Sequence, residues 1–338
     1  MTAFLLIVAL LVILAGCELF CNGVEWFGRK LNLGEGAVGS VLAAVGTALP
    51  ETVIPIIAII FGSKESGKEI GIGAILGAPF MLSTLAMFVC GVSIIIFTMM
   101  KKRTRKIRFN KTIMGRDLLY FLCAYTVAVV AGLVHIGPFR YGVAALLLVS
   151  YGFYVRATLK SEGDLEGESR ALYFHRTADS PQLKLVILQV IVSLIAIVYG
   201  ADLFVKELTT ASKAIGVPAL VISLLLTPFA TELPEKFNSV AWMGRKKDTL
   251  ALGNITGAMV FQSMIPVAVG LIFTDWRLYE PGTANSWHGT LAAGIALFSG
   301  AVLYGRLRLT KKGFGLGSLL FGGLLYAAFV GVTLWSVR

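Results

Sequence analysis

The feature that most limits the fold of this chain is a series of apolar runs, each about 20 residues long, that recurs along the whole sequence. Of its 338 residues, 57% are hydrophobic and only 14% are charged, whereas a soluble domain carries roughly 25% charged residues. The runs are continuous rather than alternating, which argues against a transmembrane β-barrel. The sequence therefore predicts an all-α, polytopic protein embedded in the lipid bilayer.

About ten transmembrane helices are predicted, in two groups of five. The longest connection, 159–181, is polar and acidic, so it is interpreted as a cytoplasmic linker between a first repeat, 1–158, and a second, 182–338. The predicted helices cover about 3–22, 36–62, 69–99, 117–134, 138–158, 182–206, 217–243, 249–273, 289–305 and 314–335.

Basic residues predict the orientation of these helices. Most of the 30 lysines and arginines fall in the odd-numbered connections, which therefore face the cytoplasm. Both termini then lie outside, in the cell's inner (plasma) membrane, and the net charge of +11 is explained by topology rather than by nucleic acid binding. The run KKRTRKIRFNK at 101–111 is interpreted as a topology anchor, with binding of anionic lipid or nucleic acid as the alternative.

Residue types used in catalysis are sparse. The four cysteines lie in or beside apolar runs, and the three histidines are scattered over connections. No zinc cluster is visible, and no serine or cysteine lies at helical spacing from a base. The sequence predicts neither an enzyme nor a bound cofactor.

The two halves of the chain carry the same motifs in the same order. Shifted by 184 residues, GCELF at 16–20 aligns with GADLF at 200–204, and GTALPE at 46–51 aligns with ATELPE at 230–235. At an offset of 180, GAILGA at 73–78 aligns with GNITGA at 253–258. Prolines and acids in register are not expected by chance between apolar segments, so the chain is predicted to contain an internal duplication.

Five helices in each half imply that the second half enters the membrane from the opposite side. This arrangement is an inverted-topology repeat, which is typical of secondary transporters that bind their substrate near the bilayer midplane between the repeats. The sequence thus predicts a transporter, with an intramembrane enzyme that uses the paired acids as a weaker alternative. A channel is a weaker alternative, because paired buried acids suit a closed binding site better than a continuous pore.

The Pro-Glu pairs supply the chemistry for such a site. Pro50 and Pro234 lack an N–H group, so each leaves a backbone carbonyl one turn earlier without its helical partner. Such carbonyls are tolerated at membrane depth where they line a cavity or meet a partner. Glu51 and Glu235 follow the prolines and add carboxylate oxygens, which hard cations such as Ca²⁺ and Na⁺ prefer. An acid inside a membrane costs at least ~2.5–3.5 kcal/mol, which favours a functional interpretation.

These paired motifs resemble the two α-repeats of the calcium/cation antiporter superfamily, which includes the sodium/calcium exchangers. The resemblance covers nearly the whole chain and implies that both glutamates bind calcium, with help from neighbouring hydroxyl and amide groups. It also implies that the first and sixth helices slide while the motif helices stay comparatively fixed. Carried over by position, the implied ligands are Thr47, Glu51, Thr231, Glu235 and Asn254.

The chain also departs from the pattern of that superfamily. Ala48, Ala78 and Ala258 stand where serines are expected, and Pro79 and Met259 stand where the motif has asparagine or aspartate.

The second half gains two charged residues beside Glu235, namely Glu232 and Lys236. Glu232 adds a further candidate cation ligand. Lys236 either extends to the membrane surface and leaves the site alone or neutralises an acid and takes the place of a coupling cation. Glu18 and Asp202 are interpreted as vestibule or packing groups rather than ligands.

The resulting expectation is a secondary active antiporter that exchanges Ca²⁺ for Na⁺ or H⁺ by alternating access. Its partners are inorganic cations and the lipid bilayer, with no nucleic acid. The alternative is a transporter on the same scaffold that moves another cation or couples to protons through a reduced metal site.

Overall fold

The computed structural model describes residues 1–30, 49–62, 65–134, 137–159, 171–175, 180–278, 286–310, 313 and 315–336, apart from a few side chains within them. These residues are helical except for short connections and one isolated β-bridge between Leu172 and His175. The helices are α1 Thr2–Lys30, α2 Leu49–Phe61, α3 Ser66–Met81, α4 Met87–Met99, α5 Lys111–Val134, α6 Phe139–Leu159, α7 Leu183–Ile215, α8 Ala219–Gly244, α9 Asp248–Phe273, α10 Ser286–Leu309 and α11 Leu316–Ser336.

The prediction of a polytopic all-α membrane protein is confirmed. In the described residues, seven helical segments are long and apolar enough to cross a membrane, and one of them joins α3 to α4 through a π-helical turn at Leu82–Ala86. Each of the ten predicted segments contains a helix, although α2, α6 and α8 fall short of that test of length and composition. The number of crossings and the inverted repeat stay predictions, as do the cytoplasmic linker and the sides on which the termini lie.

The buried apolar side chains form two main clusters. The larger one is built chiefly from α3, α4, α5, α9, α10 and α11. The smaller one joins α1 and α7 to α2 and to the start of α8. The helix α9 is the most buried of the candidate spans, at 67% of its most apolar window, and α1 is the least buried, at 22%. The helix that carries GNITGA is therefore central, whereas α1 is peripheral.

The helices α1 and α7 pack against each other through equivalent positions of the two repeats. A side chain added at Gly16 would meet Ile197, and one added at Gly200 would meet Ile13. Position 197 is the counterpart of 13 under the 184-residue offset, so the two contacts are reciprocal, as a two-fold relation requires. Gly23, nearer the end of α1, lies against Val190, nearer the start of α7, so the two helices run antiparallel. This pair has the geometry expected of an inverted repeat.

A buried ion pair ties the connection after α4 to the turn between α8 and α9. The Arg103 guanidinium donates to both carboxylate oxygens of Asp248, at 2.7 and 3.0 Å, and to the Met243 carbonyl at 2.6 Å. The backbone N–H of Arg108 donates to the same carboxylate at 2.8 Å. Both charged side chains are nearly inaccessible. One cation of the run at 101–111 is therefore internal, a role that neither interpretation of this run anticipated.

Replacing Arg103 by methionine should lower the stability of the folded protein by about 3–5 kcal/mol, because it leaves Asp248 buried without its cation. The measurement is the melting temperature of the purified protein in detergent. Arg105→Met, at an exposed position on the same connection, is the matched control and should change stability by less than about 0.5 kcal/mol. Equal melting temperatures for the two variants would contradict this assignment.

Candidate functional site

Glu51 lies in the first turn of α2 and is buried, with only 5% of its surface exposed. The helix begins at Leu49, so Pro50 occupies its first turn, where a missing N–H breaks no helical hydrogen bond. Pro55 lies inside α2 and lacks the N–H that the Glu51 carbonyl would accept. Glu51 could therefore contribute both a buried carboxylate and a backbone oxygen to a candidate cation site.

The second Pro-Glu pair lies inside an unbroken helix. The helix α8 runs from Ala219 to Gly244 and contains both Pro228 and Pro234. A residue that precedes proline disfavours helical geometry, which predicts a break at Leu233. That prediction is wrong, because Leu233 lies within the helix and the prolines are accommodated there. The argument about carbonyls is unaffected, since a proline supplies no N–H wherever it lies.

The acid and the base that flank this pair are buried together. Lys236 Nζ lies 3.2 Å from Glu232 Oε2, and both side chains are at most 2% exposed. The interpretation in which Lys236 extends to the membrane surface is therefore wrong. The carboxylate of Glu232 also accepts a hydrogen bond from Gln262 Nε2 of α9, at 3.1 Å. The acid thus has one charged and one neutral partner, from two different helices.

A line of hydroxyl groups leads along α8 toward this acid. Ser223 donates to the Ile70 carbonyl of α3 at 2.6 Å and lies 3.0 Å from the hydroxyl of Thr227. Thr231, a predicted ligand, is buried and donates to the Thr227 carbonyl at 3.1 Å. A hydroxyl has one donor and two acceptor positions, so Thr231 can still offer an oxygen lone pair to a cation.

Asn254, one of the implied ligands, makes an interhelical hydrogen bond, which is the alternative role for an amide at this position. Its Nδ2 atom donates to the Ser239 hydroxyl of α8 at 3.1 Å, so α9 and α8 are joined here. The amide oxygen of Asn254 is the part of the group that could still coordinate a cation.

The paired glycines of the two repeats have different surroundings in the described residues. A side chain at Gly73 or Gly77 would meet the backbone of α8 at Leu220 or Leu224, so α3 packs directly on the helix that carries the second Pro-Glu pair. Small residues four apart on a helix allow this close approach. The equivalent glycines of α9 face Met114 and Tyr154 instead, at ordinary contact distances.

Two of the predicted ligands cannot be placed. Thr47 lies outside the described residues, and of Glu235 only the backbone, inside α8, is described. The structure therefore places Thr231 and Glu232 next to each other on α8 and buries Glu51 on α2. Asn254 lies on the adjacent α9 but contacts α8 at Ser239, about two turns beyond Glu232. The helix α2 also contacts α8.

Glu18 and Asp202 interact with other groups. Glu18 accepts a hydrogen bond from the hydroxyl of Tyr173 at 2.8 Å. Asp202 lies 2.7 Å from Lys206, one turn further along α7. Both contacts agree with their interpretation as packing or vestibule groups.

Asp117 is a buried acid that the sequence argument did not single out. Its carboxylate accepts hydrogen bonds from Thr256 at 2.7 Å and Tyr154 at 3.1 Å, and it pairs with Arg116 at 3.2 Å. Its place at the start of the predicted membrane helix 117–134 could have marked it as a buried acid from the sequence alone. Its oxygens are already occupied by donors from α5, α6 and α9, so we assign it a role in packing these helices.

Comparison with known proteins places the chain among membrane exchangers. It is 27% identical to an uncharacterized membrane protein of Methanocaldococcus jannaschii over 267 residues, which cover 79% of this chain and 80% of that protein. Its fold is similar to that of an H⁺/Ca²⁺ exchanger, CAX, with a TM-score of 0.69 and 15% identity over 99% of this chain and 89% of the other. The sodium-calcium exchanger NCX_Mj gives a TM-score of 0.55 and 23% identity over 100% and 98%.

The sequence also matches one protein family along both halves. The match covers residues 1–160 and 185–336, which leaves out little more than the linker. These two blocks contain both Pro-Glu pairs and both glycine motifs. On this evidence the chain belongs to the family of sodium/calcium exchanger proteins.

Proposed function

We propose that this protein is a secondary active antiporter that exchanges Ca²⁺ for Na⁺ or H⁺ across the membrane in which it is embedded. Its family is one of transporters rather than enzymes. The cation is held by Glu51 and Glu235, with oxygens from Thr47, Thr231 and Asn254 and with Glu232 as a further carboxylate nearby.

The burial of Glu51 carries this proposal. An acid that is 5% exposed inside a bundle of apolar helices is expensive unless it binds a cation, takes up a proton or is paired. Its counterpart by the 184-residue offset, Glu235, lies in the helix where Glu232 is also buried. Carboxylate, hydroxyl and amide oxygens on adjacent helices are the ligand set of hard cations.

The arrangement of the helices supports alternating access. The pair α1 and α7 packs through small residues, as sliding helices require, and α1 lies at the periphery. The helix α9 is central and its neighbours surround it. We infer that α1 and α7 move together as one antiparallel unit relative to the helices that hold the cation, so that the site opens to each side in turn.

The test is transport by the purified protein in liposomes. Vesicles loaded with Na⁺ should take up radioactive Ca²⁺ from a Na⁺-free medium, and collapsing the gradient with an ionophore should stop the uptake. Replacing the Na⁺ gradient with an outward H⁺ gradient identifies the coupling ion. Absence of uptake under both gradients would refute calcium exchange.

The ion pair of Glu232 with Lys236 favours a second candidate, a transporter on the same scaffold for another cation or with proton coupling. A buried ammonium occupies one carboxylate, so the site holds less charge for metal ions than its acids alone suggest. A metal panel by thermal shift in detergent distinguishes the two. A melting temperature that does not change on addition of Ca²⁺ or Na⁺ but changes strongly with pH would favour this candidate.

A further inference from the structure

A cavity lies between the start of α5 and the last turn of α10, away from the Pro-Glu segments. Its volume is about 630 Å³, which falls within the roughly 300–1,000 Å³ that is usual for ligand sites. None of the candidate cation ligands is among the described residues that line it. The basic residues of the sequence predict that both helix ends lie at the cytoplasmic face. The cavity is therefore expected at the depth of the lipid headgroups.

The cavity is lined by three basic side chains, Lys111, Arg116 and Arg308, and none of its described lining residues is acidic. Lys111 and Arg308 are exposed. Tyr304 holds Arg308, because its hydroxyl accepts from Nε at 3.1 Å and its ring centre lies 5.2 Å from the guanidinium carbon. Lys111 Nζ, at the start of α5, donates to the Thr310 carbonyl at 3.3 Å. Both cations are thus positioned by neutral groups at the end of α10.

The third cation is partly neutralised by a neighbour. Arg116 Nη2 lies 3.2 Å from Asp117 Oδ1, and Asp117 is buried behind it among donors from α6 and α9. Arg308 pairs with no carboxylate in the part of the chain that the structure describes. Three cations and one acid leave a net charge of +2 at the cavity. Such a charge suits a phosphate group, whose oxygens arginine and lysine bind through charge-assisted hydrogen bonds.

The same cavity is apolar on its other side. Two of its lining residues, Leu119 of α5 and Leu309 of α10, are 42% and 87% exposed. In a membrane helix such side chains contact lipid tails. Leu119 follows Lys111 by eight residues, or about 12 Å along the axis of α5. The lining therefore changes from charged to apolar over the distance that separates a headgroup from the start of its acyl chains.

We propose that this cavity binds an anionic phospholipid, with its phosphodiester at Lys111 and Arg308 and the start of an acyl chain against Leu119 and Leu309. Basic pockets between membrane helices on the cytoplasmic side bind anionic headgroups. A free phosphate ion would use the cations but not the leucines, so the lining favours a lipid. The bound lipid would join α5 to α10, and this inference does not depend on the proposed exchange of cations.

The first test measures lipid binding to the full-length, delipidated protein in dodecyl maltoside by native mass spectrometry. The wild type should bind phosphatidylglycerol more tightly than phosphatidylcholine with the same acyl chains. The double variant Lys111→Gln with Arg308→Gln should bind phosphatidylglycerol about 25-fold more weakly, because each basic side chain near an anionic lipid contributes about fivefold. Equal affinity of the wild type for the two lipids, or an unchanged affinity in the double variant, would overturn the inference.

The matched control removes the same charge outside the cavity. Arg105 and Arg306 are exposed, lie at the same two helix ends and do not line the cavity. The double variant Arg105→Gln with Arg306→Gln should therefore keep the affinity of the wild type for phosphatidylglycerol. If it weakened binding as much as the first double variant, the attraction would come from the overall charge of this face, and the inference would be wrong.

A second variant fills the cavity and keeps every charge. A Cβ atom at Gly115 would meet only Leu307, at an ordinary contact distance of 3.4 Å, and leucine favours a helix more than glycine does. Gly115→Leu should therefore keep the melting temperature of the lipid-free protein. Its side chain would occupy space that the lipid needs, so binding of phosphatidylglycerol should weaken about tenfold or more. Unchanged binding would count against this cavity as the site.

The last measurement distinguishes a lipid from a free anion. Phosphatidylglycerol should raise the melting temperature of the wild type in detergent, and it should raise that of Gly115→Leu much less. Inorganic phosphate in large excess should neither reproduce this rise nor displace the lipid. If inorganic phosphate did both, the cavity would be a site for a soluble anion, and its assignment to a phospholipid would be wrong.

Discussion

Glu51→Gln should reduce gradient-driven Ca²⁺ uptake at least about 100-fold while the protein still folds. Glutamine keeps the size of the side chain and one carbonyl oxygen, but it removes the negative charge that the cation must meet. In water-excluded surroundings the loss of a charged ligand costs several times more than the loss of a neutral one. Because Glu51 is only 5% exposed, neutralising it also removes a desolvation cost, so the melting temperature should not fall.

The matched control for this variant is Glu65→Gln. Glu65 is exposed, just before α3, so its neutralisation should leave uptake unchanged. Glu235→Gln is expected to abolish uptake like Glu51→Gln, an expectation that rests on the repeat rather than on a described side chain. Full uptake by Glu51→Gln, with retained expression and melting temperature, would remove Glu51 from the site and the proposed mechanism with it.

The membrane fold could be predicted because its signal is repeated many times. Apolar runs of about 20 residues predict membrane helices by length alone, and prolines and acids in register predict an internal duplication. The offset of 184 residues relates the contact of Gly16 with Ile197 to the contact of Gly200 with Ile13, but the sequence did not predict that α1 and α7 pack together. The ends of the helices were predicted less accurately than their existence, since α7 continues to Ile215, beyond the predicted end at 206.

The partners of the polar groups could be predicted only in part. Lys236 and Glu232 are four residues apart, so helical geometry predicts that they can pair. That the lysine does not extend to the membrane surface is clear only from the structure, in which α8 is packed so that this side chain is buried. The sequence gives no indication that Gln262 reaches across from α9, because nothing in its local pattern refers to α8. Arg103 and Asp248 are far apart in the chain, and their contact depends on how the connection after α4 folds back.

Lys236→Met should destabilise the protein by about 3–5 kcal/mol, because it leaves the Glu232 carboxylate buried without its cation. The melting temperature in detergent measures this effect. Removing both charges, in the double variant Glu232→Gln with Lys236→Met, should restore most of the loss, since a buried pair costs nearly as much desolvation as its attraction returns. Lys206→Met is the matched control. Lys206 pairs with Asp202 at the same spacing but in an exposed position, so its loss should change the melting temperature little.

The same variant tests whether the lysine stands in for a free cation. With the ammonium gone, Na⁺ can approach the Glu232 carboxylate, so added Na⁺ should raise the melting temperature of Lys236→Met more than that of the wild type. The exchange of the variant should also carry an additional positive charge per cycle, which is measured as the membrane potential that vesicles develop during Ca²⁺ uptake. If Lys236→Met were as stable as the wild type, and if Na⁺ changed the melting temperatures of both proteins equally, the Lys236 ammonium would not be neutralising the Glu232 carboxylate. The reduced-site candidate would then lose the observation on which it depends, and an exchanger with its full set of acidic ligands would be the better description.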